Sequence, residues 1–120
     1  MNRKINLKEK LKLFSDLWTP KIVAELNGQH VKLAKLKGEF PWHKHDDEDE
    51  LFYVIKGTLQ MELPDQTIEL HPGEFFVVPA GVKHKPIAAQ EVHVLLFEPA
   101  QIKHTGDVTH ELTQEHLDWI

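Results

Sequence analysis

Cysteine is absent from this 120-residue chain, so it has neither disulfides nor thiolate metal sites, and any metal it binds takes nitrogen and oxygen ligands. Positive charge is in the minority. Fourteen Lys and Arg against 19 Asp and Glu leave a net charge of −5, which argues against a nucleic-acid partner, because that partner wants a basic face. No apolar run approaches the ~20 residues needed to span a bilayer. The start, Met1-Asn-Arg-Lys-Ile, lacks the apolar core of a signal peptide, so a cytoplasmic protein with no membrane partner is expected. Internal repeats, linkers and low-complexity segments are missing too. What remains is a single domain over residues 1–120, large enough to bury one core without staples. Histidine is the residue present in unusual number, with nine copies.

Two of those histidines fall in Gly38-Glu-Phe-Pro-Trp-His43-Lys-His45-Asp-Asp-Glu-Asp-Glu50-Leu-Phe-Tyr-Val-Ile-Lys-Gly57. His43 and His45 are two apart, so on an extended strand both imidazoles project from one face. Glu50 follows an acidic bend and opens the apolar run Leu51 to Ile55. Two imidazoles and a carboxylate from adjacent strands can converge on one divalent cation. A fourth candidate, His84, ends the second patterned stretch, Gly73-Glu-Phe-Phe-Val-Val-Pro79-Ala-Gly81-Val-Lys-His84.

Along the chain, Asn6 with Glu9 reads as a helix N-cap and capping box. Leu7, Leu11, Phe14 and Trp18 then recur at helical spacing, which predicts a helix from residue 7 to about 16, ended by Pro20. Strand signals follow. Lys21–Leu26 and Gln29–Lys37 flank Asn27-Gly28, a strong hairpin turn, and Leu51–Ile55 and Thr58–Leu63 flank Lys56-Gly57. Thr67–Leu70, Glu74–Val78, Lys85–Ala89 and Glu91–Glu98 complete the set, and Thr113–Trp119 has the pattern of one or two helical turns. Many short strands separated by turns predict an antiparallel β-barrel or sandwich. In the last strand His93, Leu95 and Phe97 alternate with Val92, Val94 and Leu96. Both faces read as buried, and a chain this size is not expected to cover both faces of an edge strand, so a homodimer is expected.

The two patterned stretches, G-x4-H-x-H-x4-E-x6-G and G-x5-P-x-G-x2-H, resemble the paired signature motifs of the cupin superfamily. They occupy residues 38–57 and 73–88, and the likeness extends over roughly residues 28–98. The usual first motif has one more residue before its first His, and the usual second ends in Asn where this chain has Ala88. Neither departure touches a ligand position. The resemblance implies an all-β fold, an antiparallel jelly-roll β-barrel with a short N-terminal helix. It also implies one divalent transition metal per chain, Zn, Ni, Mn, Fe or Cu, held by His43, His45, Glu50 and His84. Of the consecutive acids Asp46 to Glu50, Glu50 is chosen because it begins the strand and stands where the motif places its acid; Asp49 is next best. At whole-chain level the sequence is similar to small bacterial cupins labelled mannose-6-phosphate-isomerase-like.

The family spans isomerases, dioxygenases, lyases and binding modules, so function is expected only in outline. The leading expectation is a metalloenzyme acting on a small polar carbonyl or sugar-like molecule. The alternatives are an Fe-dependent dioxygenase and a non-catalytic small-molecule sensor or binding module. His93 and Lys35 are candidates for contact with a ligand in the lumen, although a satisfied core histidine is the plainer reading of His93, and Lys37 shares the parity of Lys35. A lumen with an acid or base beyond the four ligands favours an enzyme, and a purely apolar lumen favours a dioxygenase or binding module.

Overall fold

The computed structural model describes residues 3–100 and 116–120. Among these residues seven strands follow one short helix: α1 (Leu7–Leu11), β1 (Lys21–Leu26), β2 (Gln29–Glu39), β3 (Glu50–Lys56), β4 (Leu59–Leu63), β5 (Gln66–Leu70), β6 (Phe75–Val78) and β7 (Lys85–Pro99). Every strand pair is antiparallel, in the order β1-β2-β7-β3-β6, with β4 joined to β5 and to β7. The two last strands expected from the sequence are one. The first part of β7 pairs with β4 and its second part with β3, and the chain loops out at Ala89, Gln90 and Glu91 between them. That change of partner curves the sheet around a lumen.

Turn chemistry sets the register. Asn27 and Gly28 both have positive φ, 51° and 75°, the conformation whose twist matches a two-residue hairpin. Gly57 has φ 87°, and a Cβ there would stand 2.8 Å from the Glu91 carbonyl oxygen and 3.2 Å from Val92 Cα. Only glycine fits where the β3–β4 turn meets the loop-out of β7.

Alternation divides the apolar residues between two cores. Ala34, Leu36, Phe52, Val54, Val94 and Leu96 fill the lumen together with Trp18, Phe40, Leu59 and Met61. Leu11, Val23 and Leu33 form the outer core, with Leu7, Phe14, Val31, Ile55, Leu95 and Ile120 packed on it. The helix therefore stops at Leu11, short of the residue 16 predicted. Leu11 and Phe14 serve the outer core while Trp18 enters the lumen, and a single straight helix cannot face both. The last turn closes as Lys12 N–H donates to the Glu9 carbonyl and Leu13 N–H to the Lys10 carbonyl. The chain reaches Trp18 through a backbone with φ 58°.

Strand β7 is not an edge. It is flanked by β2 and β3, and its outer face is covered by this chain's own α1 and Ile120. The covering expected from a second subunit is thus supplied internally on that face. Thr113 and its neighbours lie outside the described residues. Trp119 forms a parallel bridge to Ile22, and Ile120 donates its N–H to the Ile22 carbonyl, so this end of the predicted helical turns is extended.

Gly57→Ala should destabilise the protein by about 3 kcal/mol. Gly73→Ala, at φ 89° with nothing within 4 Å of the added carbon, should cost about 1 kcal/mol, the left-handed penalty alone. Urea denaturation of the two variants checks this. Equal losses would show that the approach to Glu91 and Val92 is not what requires glycine.

Candidate metal centre

Past Phe40 the strand is interrupted by Pro41-Trp42, and its parity resets: Phe40 and His43 both face inward, while Trp42 is exposed. His43 and His84 then pair through two backbone hydrogen bonds. His43 N–H donates to the His84 carbonyl at 3.1 Å, and His84 N–H donates to the His43 carbonyl at 2.9 Å. Gly81 N–H donates to the His45 carbonyl at 2.7 Å. These bonds carry the two histidine segments to one point on the lumen wall, and Glu50 arrives as the first residue of β3.

His43, His45, Glu50 and His84 are all buried, and one ligand atom from each lies within 4.8 Å of the others. The His43 and His84 rings are 4.2 Å apart between centroids, and His43 and His45 are 5.3 Å apart. Two donors at ~2.1 Å on opposite sides of one ion stand about 4.2 Å apart, so the cluster needs only a small contraction to hold a cation. Asp49 does not share the site. It is exposed, and its Oδ1 accepts from the Ala80 N–H at 2.8 Å, which ties the acidic bend to the second histidine segment.

Protonation within the cluster favours a cation. His43 Nδ1 is 2.8 Å from the Pro41 carbonyl and His84 Nδ1 is 3.0 Å from the Val82 carbonyl. A carbonyl only accepts, so both Nδ1 atoms carry hydrogen, and in the neutral rings Nε2 offers its lone pair inward. His45 Nε2 and His84 Nε2 are 3.3 and 3.4 Å from Glu50 Oε1, and all three atoms are buried without a hydrogen-bond partner. A lone pair held against a buried carboxylate is unfavourable, and a divalent ion between them converts that repulsion into ligation. A donor set of three imidazoles and one carboxylate suits Zn, Ni, Mn, Fe or Cu.

Burial, and then the neighbouring His84 ring, push the His43 imidazole down to about 4 from its ordinary 6.5. Burial would raise Glu50, but the carboxyl of Glu98 beside it and the imidazoles of His45 and His84, once protonated, outweigh burial and hold it well below the carboxylate range. Glu98 is driven the other way. Burial and the charge of Glu50 raise it well above that range against the pull of Lys32.

The cavity against the cage is narrow, about 30 Å³, and is lined by Trp18, Pro20, Phe40, Phe52, Pro86 and Leu96, among others, with His43 and Glu50 at its polar end. Trp18 is fixed in that wall. It stacks on Phe40 at 4.8 Å between centroids, and its indole N–H donates to the Lys37 carbonyl at 2.8 Å.

His93 and Lys35 are not brought to this cavity. They pair across strands on the outer face, where His93 bonds Glu91 at 2.7 Å and Lys35 Nζ donates to the Phe14 carbonyl. Lys37 is exposed. The charged residues near the cage are instead Lys32 and Glu98, which sequence reasoning passed over. They share parity with Ala34, Leu36, Leu96 and Val94, so the parity of the apolar lumen residues, carried along β2 and β7, would have found them.

A model of the cupin domain family (Cupin_2) matches residues 29–98. Among solved structures, a cupin-2 domain containing protein from Shewanella frigidimarina is 47% identical with a TM-score of 0.78, the match covering 79% of this chain and 93% of that one. Protein YdbB of Bacillus subtilis, itself uncharacterized, is 38% identical over 64 residues, 52% of this chain and 57% of YdbB. The 3-hydroxyanthranilate 3,4-dioxygenase of Brucella anthropi is 34% identical over 65 residues, 48% of this chain and 36% of the enzyme. The match thus spans just over half the length of YdbB and about a third of the dioxygenase.

Metal-free protein should lose stability as pH falls from 6.5 to about 4, because across that interval the unfolded chain protonates His43 and the folded chain does not. At 1.36 kcal/mol per pH unit the contribution is about 3 kcal/mol. Urea denaturation in EDTA at pH 7 and pH 4, wild type against His43→Gln, measures it. The variant should lose less stability on acidification by roughly that amount, and identical losses would refute the assignment.

Proposed function

This chain belongs to the cupin domain family, and from that premise we propose that it is a metal-dependent dioxygenase acting on a small, mainly apolar molecule with adjacent oxygen donors, such as a hydroxylated arene. The observation that carries this reading is the lining of the cavity. Among the described residues its only ionisable side chains are His43 and Glu50, both of them cage residues. An isomerase working on a polar carbonyl or sugar needs a base placed beside the metal, and among the described residues none lines this cavity. The dioxygenase reading is therefore placed ahead of that one and of the mannose-6-phosphate-isomerase-like subtype. The partial likeness to a 3-hydroxyanthranilate 3,4-dioxygenase supports the same class.

A divalent metal in the cage would supply a Lewis-acidic centre with coordination positions beyond the four protein donors. The chain's own residues do the rest. The Pro41 and Val82 carbonyls orient the His43 and His84 rings, and Trp18, Phe40, Phe52 and Leu96 exclude bulk water from the approach. At about 30 Å³ the cavity admits one or two water-sized molecules, so an organic substrate displaces part of that wall. The proposal includes a homodimer, formed through the outward face of β6 at the sheet edge, where Phe75 and Val77 are 60% and 41% exposed.

Protein reconstituted with Fe(II) should consume oxygen when given 3-hydroxyanthranilate or a catechol, and His84→Ala should abolish that uptake. Metal binding without uptake across a panel of hydroxylated arenes would contradict the enzyme reading and leave a binding module. Light scattering should report about twice the 13.9 kDa of the chain; the mass of one chain at micromolar concentration would contradict the dimer.

A further inference from the structure

Lys32 and Glu98 form an ion pair at 2.8 Å inside the lumen, with side-chain exposures of 1% and 0%. Neither lines the cavity against the cage, so they stand behind it. The pairing of Leu51 with Phe97, carried one residue on, sets Glu98 directly across from Glu50. Lys32 lies on the other neighbour of β7, opposite Leu96. A line of charged groups thus crosses three adjacent strands, from Lys32 on β2 through Glu98 on β7 to Glu50 on β3. Glu98 Oε2, buried and without a hydrogen-bond partner, belongs to the carboxyl whose neighbour is Glu50.

Stability does not account for this arrangement. Taking two charges out of water is expensive, and apolar residues of similar volume commonly replace such a pair at no loss. The lumen around it is built from Ala, Leu, Val and Phe, so an apolar solution was available. What the pair has that an apolar solution lacks is a fixed direction at Glu50. Residues behind metal ligands orient them, and their loss typically weakens metal binding about 10–100-fold.

We propose that Lys32 and Glu98 are positioning residues for the metal centre: the ion pair anchors Glu98 against Glu50 and holds the Glu50 carboxylate with Oε1 turned toward His45 and His84. The inference rests on the metal-centre reading of the cage. Lys32 acts through Glu98, and Glu98 acts through Glu50.

Co(II) is the probe, read by its visible absorption and by competition with a chelator, on wild type, Glu98→Gln and the double variant Lys32→Met/Glu98→Leu. The double variant removes both charges together and should fold with a Tm no lower than wild type, yet bind Co(II) about 10–100-fold more weakly, with a shifted absorption band. Stability and affinity moving apart is what a purely structural pair would not give. Glu98→Gln keeps the side-chain volume and should show the same band shift, so the test survives should the double variant fail to fold. Unchanged affinity and spectrum in the folded variants would overturn the inference while leaving the metal centre intact. So would a loss of bound cobalt that only follows the loss of folded protein. Wild type that takes up no Co(II) would instead bring down the metal centre itself.

Discussion

The reciprocal backbone pairing of His43 with His84, at 3.1 and 2.9 Å, is the constraint on which the site depends. It joins the segment after β2 to the segment before β7, and neither segment is held there by a long ladder of its own. Once paired, both rings must turn inward, because Pro41 and Val82 present carbonyls to the Nδ1 atoms and leave Nε2 nowhere else to face. Asp49 reinforces the join from the acidic bend by accepting the Ala80 N–H. The result is a buried cluster of acceptors facing one another, and such a cluster is satisfied by a cation, not by rearrangement of the protein.

Around this cluster the barrel is almost wholly apolar, and the exceptions are informative. Glu50 is pulled down by its neighbours against the effect of burial, and Glu98 is pushed up by burial and by Glu50 against the pull of Lys32. Lys32 stands on the far side, with its Nζ 2.8 Å from Glu98 Oε1. On the cavity side no comparable group is found among the described residues. Polarity is therefore concentrated behind the ligands and removed from the approach, an arrangement suited to chemistry supplied by the metal more than by side-chain proton transfer.

Much of this was legible in the residues, for specific reasons. His43-x-His45 could be placed on one face from strand alternation, and Glu50 was singled out by its place at the start of a strand together with the motif resemblance. Asn27-Gly28 announced its hairpin because both positions need positive φ. What failed was anything requiring knowledge of which face a run serves. Leu7, Leu11, Phe14 and Trp18 have helical spacing, yet they belong to two cores on opposite sides of the sheet, and tertiary packing overrode the pattern. Lys35 shares the parity of His43 by count, and the break at Pro41-Trp42 leaves it on the opposite face. Lys32 and Glu98 drew no reading from the sequence, because charged residues rarely go inside unless paired, and the partner of each lies on another strand, 66 residues away in the chain.

The central claim is that His43, His45, Glu50 and His84 hold one metal ion together. X-ray absorption on metal-loaded protein tests it most directly, because the fine structure reports the first shell and the ring scattering of bound imidazoles. The predicted spectrum has nitrogen and oxygen neighbours at ~2.0–2.2 Å and multiple scattering from three imidazoles, falling to two in His84→Ala. A shell of oxygens alone, or three-imidazole scattering unchanged in His84→Ala, would contradict the account.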